Sequence, residues 1–315
     1  MSYIGPTASG KSDLGIKLAK KFKGDIISAD SRQVYRGMDI GTGKVLRDKT
    51  LPNSKFKILN LKLKNNFYSS GVKHHLLDVA NPKKVFTVSD FKKLGEKSIK
   101  NIFNKNKIPF TVGGTGFYID ALVKDFALPE VLPNKKLRAK LEKISAENLY
   151  KKLKKLDIKR AQTIDKHNKR RLIRALEIIK TTGKPIPELK ELAQYEVLYL
   201  GINPPKNILE KRIRLRLNKR LKQGMVKEVK DLLKNGVSNK RLKDLGLEYG
   251  WISRYLNKEI GHKEMREGLF RDIIKYSKRQ MTWFKRNKDI HWLNPPAGGQ
   301  NEAEKLIKKF ISPLL

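Results

Sequence analysis

Eight residues near the start of the chain, Gly5-Pro6-Thr7-Ala8-Ser9-Gly10-Lys11-Ser12, fit the pattern G-x-x-x-x-G-K-[ST] without a mismatch. In such a loop successive backbone N–H groups turn toward phosphate oxygens, the glycines permit the dihedrals this needs, Lys11 adds a positive charge and the Ser12 hydroxyl can ligate Mg²⁺. The pattern calls for a di- or triphosphate. It leaves kinases, NTPases and transferases with a pyrophosphate leaving group all open. Two more loops carry reactive groups. Asp30 follows the apolar pair Ile26-Ile27, where an acid at the carboxyl end of a strand acts as a general base, holds the water shell of a metal, or simply caps a helix. Thr115 lies in Gly113-Gly114-Thr115-Gly116, a glycine loop between the strand-like run at 108–112 and a helix.

These groups meet only if their strands lie parallel in one sheet. Short apolar, β-branched runs at 26–27, 75–79, 108–112, 196–202 and 290–293 alternate with helical stretches, which predicts a parallel sheet with crossover helices. Leu14, Leu18 and Phe22 give the helix after the phosphate loop a buried stripe. The strand before that loop has only residues 1–4, short for the centre of a sheet; either the strand is truncated or the start codon lies upstream. His74 and His75, without cysteine or carboxylate help, read as structural residues rather than a zinc site.

From about 128 to 194 the strand signal disappears. Pro129 and Pro133 open the stretch, Lys-, Leu- and Glu-rich helices follow, and a turn cluster at 182–187 closes it. It reads as an all-helical insertion at 128–194 in a core made of 1–127 and 195–315. Leu172, Leu176 and Ile179 form one helical stripe, with Arg170 and Arg174 about 200° away around the axis, so that one face packs and the other is cationic. Later helices are expected at 205–221, 226–233 and 264–284, the first with a stripe of Leu209, Ile213 and Leu217.

The chain has 315 residues, with Lys+Arg 71 against Asp+Glu 31, a formal net charge of +40. A field of that size attracts phosphates and nucleic acid, although much of it reads as a Lys-rich solvated surface. Zero cysteines exclude a disulfide scaffold and thiol catalysis. No apolar run reaches the ~18 residues of a membrane span, and the amino terminus has no apolar signal core, so a cytoplasmic protein without a membrane partner is expected.

Six segments, in order, resemble the tRNA dimethylallyltransferase (tRNA isopentenyltransferase) family: residues 5–12, 29–44 (ADSRQVYRGMDIGTGK), 74–79 (HHLLDV), 112–123 (VGGTGFYIDALV), 170–178 (RRLIRALEI) and 277–284 (SKRQMTWF). The resemblance implies a P-loop NTPase-like α/β core with a swinging helical domain that grips the anticodon stem-loop, and a protein that is usually a monomer. It implies transfer of a dimethylallyl group from dimethylallyl diphosphate to N6 of adenosine 37 in tRNA. By the same resemblance Gly5 to Ser12 would bind the diphosphate, with Thr7, Lys11 and Ser12 closest and Mg²⁺ at Ser12. Asp30 would be the general base, Thr115 would lie near the reacting centre and Arg216 would help bind pyrophosphate. Asp30, Ser31, Arg32, Gln33 and Thr115, with Arg138, Arg170, Arg171 and Arg174, would contact tRNA. One departure stands out: residues 245–250 (LGLEYG) lack the arginines that flank the corresponding family segment, so no strong phosphate contact is expected there. The alternatives are an adenylate isopentenyltransferase and a P-loop nucleoside kinase.

Overall fold

The computed structural model describes residues 1–49, 66–187, 192, 194–293 and 299–312; residues 188–191 and 193, within the expected insertion, lie outside the described residues. The chain divides into two compact units, Met1–Lys124 with Ala193–Leu315, and Asp125–Leu192.

The first unit is built on a seven-stranded sheet of β1 (Ser2–Ile4), β2 (Gly24–Ala29), β3 (Phe67–Ser69), β4 (Val72–His75), β5 (Ile108–Gly113), β6 (Tyr199–Ile202) and β7 (Ile290–Leu293), in the order β3-β4-β2-β5-β1-β6-β7. Only β3 runs antiparallel, so the expected α/β class with a mostly parallel sheet is borne out. Strand β1 is central although only three residues long. It pairs with β5 on one side and β6 on the other, all three of its residues are buried, and Met1 extends the β5 pairing by accepting from the Thr111 N–H at 2.8 Å.

Two strand expectations need correction. The run at 75–79 is not a strand: β4 ends at His75, and Leu76 and Asp78 take positive φ of 65° and 57°, which turns the chain out of the sheet. Pairing at 196–202 begins only at Tyr199. The β3–β4 hairpin went unread. Its signal is Ser70-Gly71, both at positive φ (52° and 79°), which suits the two-residue turn whose twist matches that of the strands.

Helices α1 (Lys11–Lys21), α2 (Val88–Phe103) and α3 (Gly116–Val123) are the crossovers near the site. One face of the sheet contributes Tyr3, Ile26, Val112 and Leu200 to a core with Leu18 of α1; the other contributes Ile4 and Ile27 to a core with Phe91 of α2 and Ile119 and Leu122 of α3. A third core belongs to the helices after β6: α8 (Lys206–Lys222), α9 (Met225–Lys234), α10 (Asn239–Leu245), α11 (Leu247–Leu256) and α12 (His262–Phe284). Leu209, Ile213 and Leu217 are buried there, as their spacing predicted. Helix α13 (Gly299–Ile311) closes the unit. No helix among the described residues is long and apolar enough to cross a membrane.

The second unit is helical, comprising α4 (Lys135–Glu142), α5 (Ala146–Leu156), α6 (Ile158–Thr163) and α7 (Lys169–Thr182). Asn134, Ser145, Asp157 and Asn168 each cap a helix by accepting a backbone N–H, and the stripe Leu172, Leu176 and Ile179 of α7 packs on Leu141, Leu149 and Leu153. Glu177, wholly buried on α7, organises the polar side. It accepts from Asn134 N–H (2.7 Å), from Arg138 Nε and Nη2 (2.7 and 2.6 Å) and from Arg174 Nη1 (2.6 Å), while Arg174 Nη2 also donates to Val131 O (2.9 Å).

Burial alone would raise the Glu177 carboxyl, but the hydrogen bonds from both arginines and Asn134 outweigh it and hold the group at about 2. Its stabilisation is therefore complete above the ordinary carboxylate range and is lost as pH falls toward 2. Glu177→Ala is expected to destabilise the helical unit by about 2 kcal/mol. That is less than a fully buried pair would lose, because both arginines are more than a third exposed and can turn to water. Denaturant unfolding at pH 7 and pH 3 checks this: the gap between wild type and variant should narrow at the lower pH.

Candidate active site

Because β1, β2 and β5 are adjacent and parallel, with Ile4 and Ala29 both in register with Gly113, the loops that follow them emerge at one sheet edge. The structure thus brings the phosphate loop, Asp30 and Thr115 together. The loop bends through Ala8 (φ 63°) and Gly10 (φ 94°), the latter being the N-cap of α1, so that Lys11 and Ser12 open the helix. Gly5 and Pro6 are buried beneath it, and Ser9 is buried with its Oγ against Gly5.

Groups distant in sequence hold this loop. Gln280 of α12 accepts from Thr7 N–H (2.8 Å) and donates to Gly114 O (2.8 Å), tying the phosphate loop to the glycine loop. Helix α12 comes so close that a Cβ on Gly114 would lie 2.2 Å from Gln280 Nε2, and one on Gly116 would lie 2.1 Å from Trp283. A side chain at Gly114 would have to displace the Gln280 amide from its bonds, and one at Gly116 the Trp283 ring. Arginines at four-residue spacing on α8 supply the other wall: Arg212 Nη1 donates to Ser9 O (3.3 Å), Arg216 Nη2 to Thr7 Oγ1, and Arg220 Nη1 to Gly41 O (3.2 Å), with Glu248 Oε1 at 3.5 Å.

Lys11 Nζ donates to Pro6 O (3.2 Å). Burial, then the Arg216 charge, pushes this lysine down to about 8, and Asp30 opposes the shift. Burial, then Arg220, pushes Arg216 down to about 9. Crowded, desolvated cations of this kind favour an anion. They face a cleft of about 760 Å³ lined by Gly10, Lys11, Ser12, Lys44, Arg212 and Arg216. A smaller cavity of about 60 Å³ brings Lys11, Ser12 and Arg216 onto one wall with Asp30, beside the apolar side chains of Ile26 and Val112.

Asp30 Oδ1 accepts from the N–H groups of Arg32 (2.9 Å) and Gln33 (3.2 Å). That fixes the carboxylate by one oxygen and leaves Oδ2 for chemistry. Thr115 Oγ1 accepts from Ser31 N–H (3.1 Å), and its backbone N–H donates to Ala29 O (3.1 Å). Tyr276, half-buried on α12, lies beside Thr115; desolvation, then Asp30, raises its hydroxyl to about 12, so it stays protonated.

Several expected tRNA contacts have structural partners as well. Arg32 donates from Nε to Leu245 O (3.1 Å) and lies 5.5 Å from the Tyr276 ring. Gln33 accepts from Ser28 Oγ and donates to the carbonyls of Thr42 and Gly43. In the helical unit Arg138 and Arg174 are both tied to Glu177, and Arg170 and Arg171 are exposed on α7. Sequence reasoning missed Gln280, Tyr276, Arg212 and Arg220. For the two arginines the signal was present, since with Arg216 they form an i, i+4, i+8 row on one helix.

A family model described as IPP transferase matches residues 33–287. The chain is 37% identical over 317 residues to a protein of Alkaliphilus oremlandii named tRNA dimethylallyltransferase, spanning 98% of this chain and 95% of that relative. It is 40% identical over 294 residues to tRNA dimethylallyltransferase 2 of Shewanella sediminis, spanning 92% and 91%. Among solved structures it resembles the full-length tRNA isopentenylpyrophosphate transferase of Bacillus halodurans, with a TM-score of 0.67, 32% identity and coverage of 99% of this chain and 95% of that one. With its phosphate loop, acidic loop and glycine loop at one sheet edge, this chain belongs to the IPP transferase family.

Proposed function

We propose that this protein transfers a dimethylallyl group from dimethylallyl diphosphate to N6 of adenosine 37 in the anticodon loop of tRNA, leaving N6-isopentenyladenosine and pyrophosphate. Beside family membership, one observation carries the reading: an acid, Asp30, shares a small cavity with the cations Lys11 and Arg216. A base and an anion cradle at one place are what displacement of a diphosphate by an amine needs.

The chain's own groups then divide the work. The N–H groups of Ala8, Gly10, Lys11 and Ser12, with the side chains of Lys11 and Arg216, bind the diphosphate and stabilise the charge that grows on it as the C1–O bond breaks. Thr7, held by Gln280 and Arg216, orients that end. As the new N6–C1 bond forms, the N6 proton passes to Asp30 Oδ2. Thr115, fixed by Ser31 with Tyr276 beside it, borders the base's position. Ser31, Arg32 and Gln33 face the nucleotides beside it, and Arg138, Arg170, Arg171 and Arg174 give the helical unit its phosphate contacts. The target adenine, stacked in a folded loop, must be flipped out to react.

Ser12 fits a Mg²⁺ role. Its hydroxyl opens α1 beside Lys11 on the wall of both cavities, and the ion's other ligands would include diphosphate oxygens and water, as Mg²⁺ prefers. When bound at Ser12 it would add charge neutralisation to the leaving group.

Purified protein with labelled dimethylallyl diphosphate, Mg²⁺ and a tRNA carrying A36-A37 is expected to label the RNA. Label on AMP instead would mean an adenylate isopentenyltransferase, and γ-phosphate transfer from ATP would mean a kinase. Asp30→Ala should lower kcat by about 10²–10⁴-fold while tRNA affinity stays within severalfold; near-normal turnover would remove Asp30 as the base. Lys11 makes a second prediction. As a base held at about 8, it loses its proton above that pH, so pyrophosphate affinity should weaken from pH 8 to 10 by up to about tenfold per unit. Lys11→Arg keeps its charge over that range, and its slope reports what pyrophosphate and Arg216 contribute without Lys11. Parallel slopes in calorimetry would take Lys11 out of the anion site.

A further inference from the structure

The loop at 38–44 borders three cavities around the reaction centre: Thr42 and Gly43 line the small one with Asp30, Gly43 and Lys44 line the large cleft, and Gly41 and Thr42 line a third beside Tyr276. It contains no helix or strand, and beyond its own bonds from Gly43 N–H to Ile40 O and from Lys44 N–H to Asp39 O (3.1 Å each) side chains satisfy its backbone. On its carbonyl side Arg220 donates to Gly41 O (3.2 Å), and Gln33 Nε2 donates to the carbonyls of Thr42 and Gly43 (3.3 Å each). On its N–H side one carboxylate serves three consecutive residues. Glu228 of α9 accepts from Asp39 N–H (2.8 Å) and Ile40 N–H (2.6 Å) at Oε2, and from Gly41 N–H (3.0 Å) at Oε1. Its fourth bond comes from the hydroxyl of Tyr249 (2.8 Å), a wholly buried residue of α11.

This clamp is close to the leaving-group cations. A Cβ on Gly43 would lie 1.5 Å from Arg220 Nη2, and one on Gly41 would lie 2.7 Å from Tyr249 Oη, so the loop is seated against both side chains. Arg220 is one helical turn from Arg216, which holds Thr7. A shift of residues 39–41 would therefore move the partner of Arg220 and the wall beside Arg216.

We propose that Glu228, which touches neither the cradle nor Asp30, is a positioning residue for the diphosphate half of the site: through the three N–H groups of residues 39–41 it sets the loop that walls the cations. This rests on the reading that the cleft takes a diphosphate. The role differs from general support of the fold because four hydrogen bonds converge on one carboxylate and three of them go to a single loop.

The test is calorimetric titration of the full chain with inorganic pyrophosphate, with tRNA affinity and amide exchange at residues 39–41 measured alongside. Glu228→Ala is expected to weaken pyrophosphate binding by about tenfold or more, with faster exchange at 39–41 and tRNA affinity within twofold. Glu228→Gln, which keeps one acceptor oxygen but turns an NH₂ toward backbone donors, should fall between it and the wild type. Tyr249→Phe keeps the ring against Gly41 and removes only the fourth hydrogen bond, so it should weaken binding by a few-fold even if Glu228→Ala fails to fold. A purely structural role would reduce the folded fraction and leave the affinity of the remainder unchanged. Wild-type affinity in Glu228→Gln and Tyr249→Phe would overturn the role of Glu228, whereas a wild type that binds no pyrophosphate would overturn the reading of the cleft itself.

Discussion

Arg216 and Arg220 stand close enough to Lys11 in a desolvated corner that both make it harder for the lysine to carry charge, and Arg220 does the same to Arg216. Left alone, such a cluster would spread apart or take in water. Much of the first unit prevents this. Helix α8 sets the guanidinium groups on one face, where its apolar stripe of Leu209, Ile213 and Leu217 locks it into a core. Glu248 and Asp30 supply nearby negative charge, the carbonyls of Pro6 and Ser9 absorb N–H donors of Lys11 and Arg212, and Gly41 O shares Arg220 with Glu248. The arrangement favours whatever anion enters, because repulsion relieved on binding adds to the attraction gained.

Helix α12 meets the same requirement from the other side. Gln280 makes the two glycine-rich loops one body, and Trp283 anchors the helix through its indole N–H to Asp120 (2.7 Å). The match between SKRQMTWF and VGGTGFYIDALV is thus a steric fit, side chain into missing side chain.

What the sequence revealed was what is local. The phosphate loop, the strand before Asp30, the glycine loop at Thr115 and the stripes of α7 and α8 all announce themselves within a dozen residues, by spacing or by glycine. What it hid was pairing across distance. Gln280 and Thr7 are 273 residues apart, and nothing near either shows that the amide of one completes the loop of the other. The end of β4 at His75 was misread because Leu76, Leu77 and Val79 have strand composition while their backbone turns away. Gln33 and Arg174 show the converse: their side chains are committed to Thr42, Gly43, Glu177 and Val131 by tertiary contacts that a helical or linear projection cannot display.

The three-residue strand β1 has a mechanical consequence. With Tyr3 facing one core and Ile4 the other, the alignment of the phosphate loop relative to its neighbours is fixed by two side chains of unlike shape, an aromatic ring and a branched aliphatic. A slip of one position would force each into the other's slot and carry Lys11 about 3.3 Å along the strand axis, out of reach of the arginines on α8. The aim of the cradle is thus set by shape selection in the two cores beneath it, as a gunsight is set by its mount.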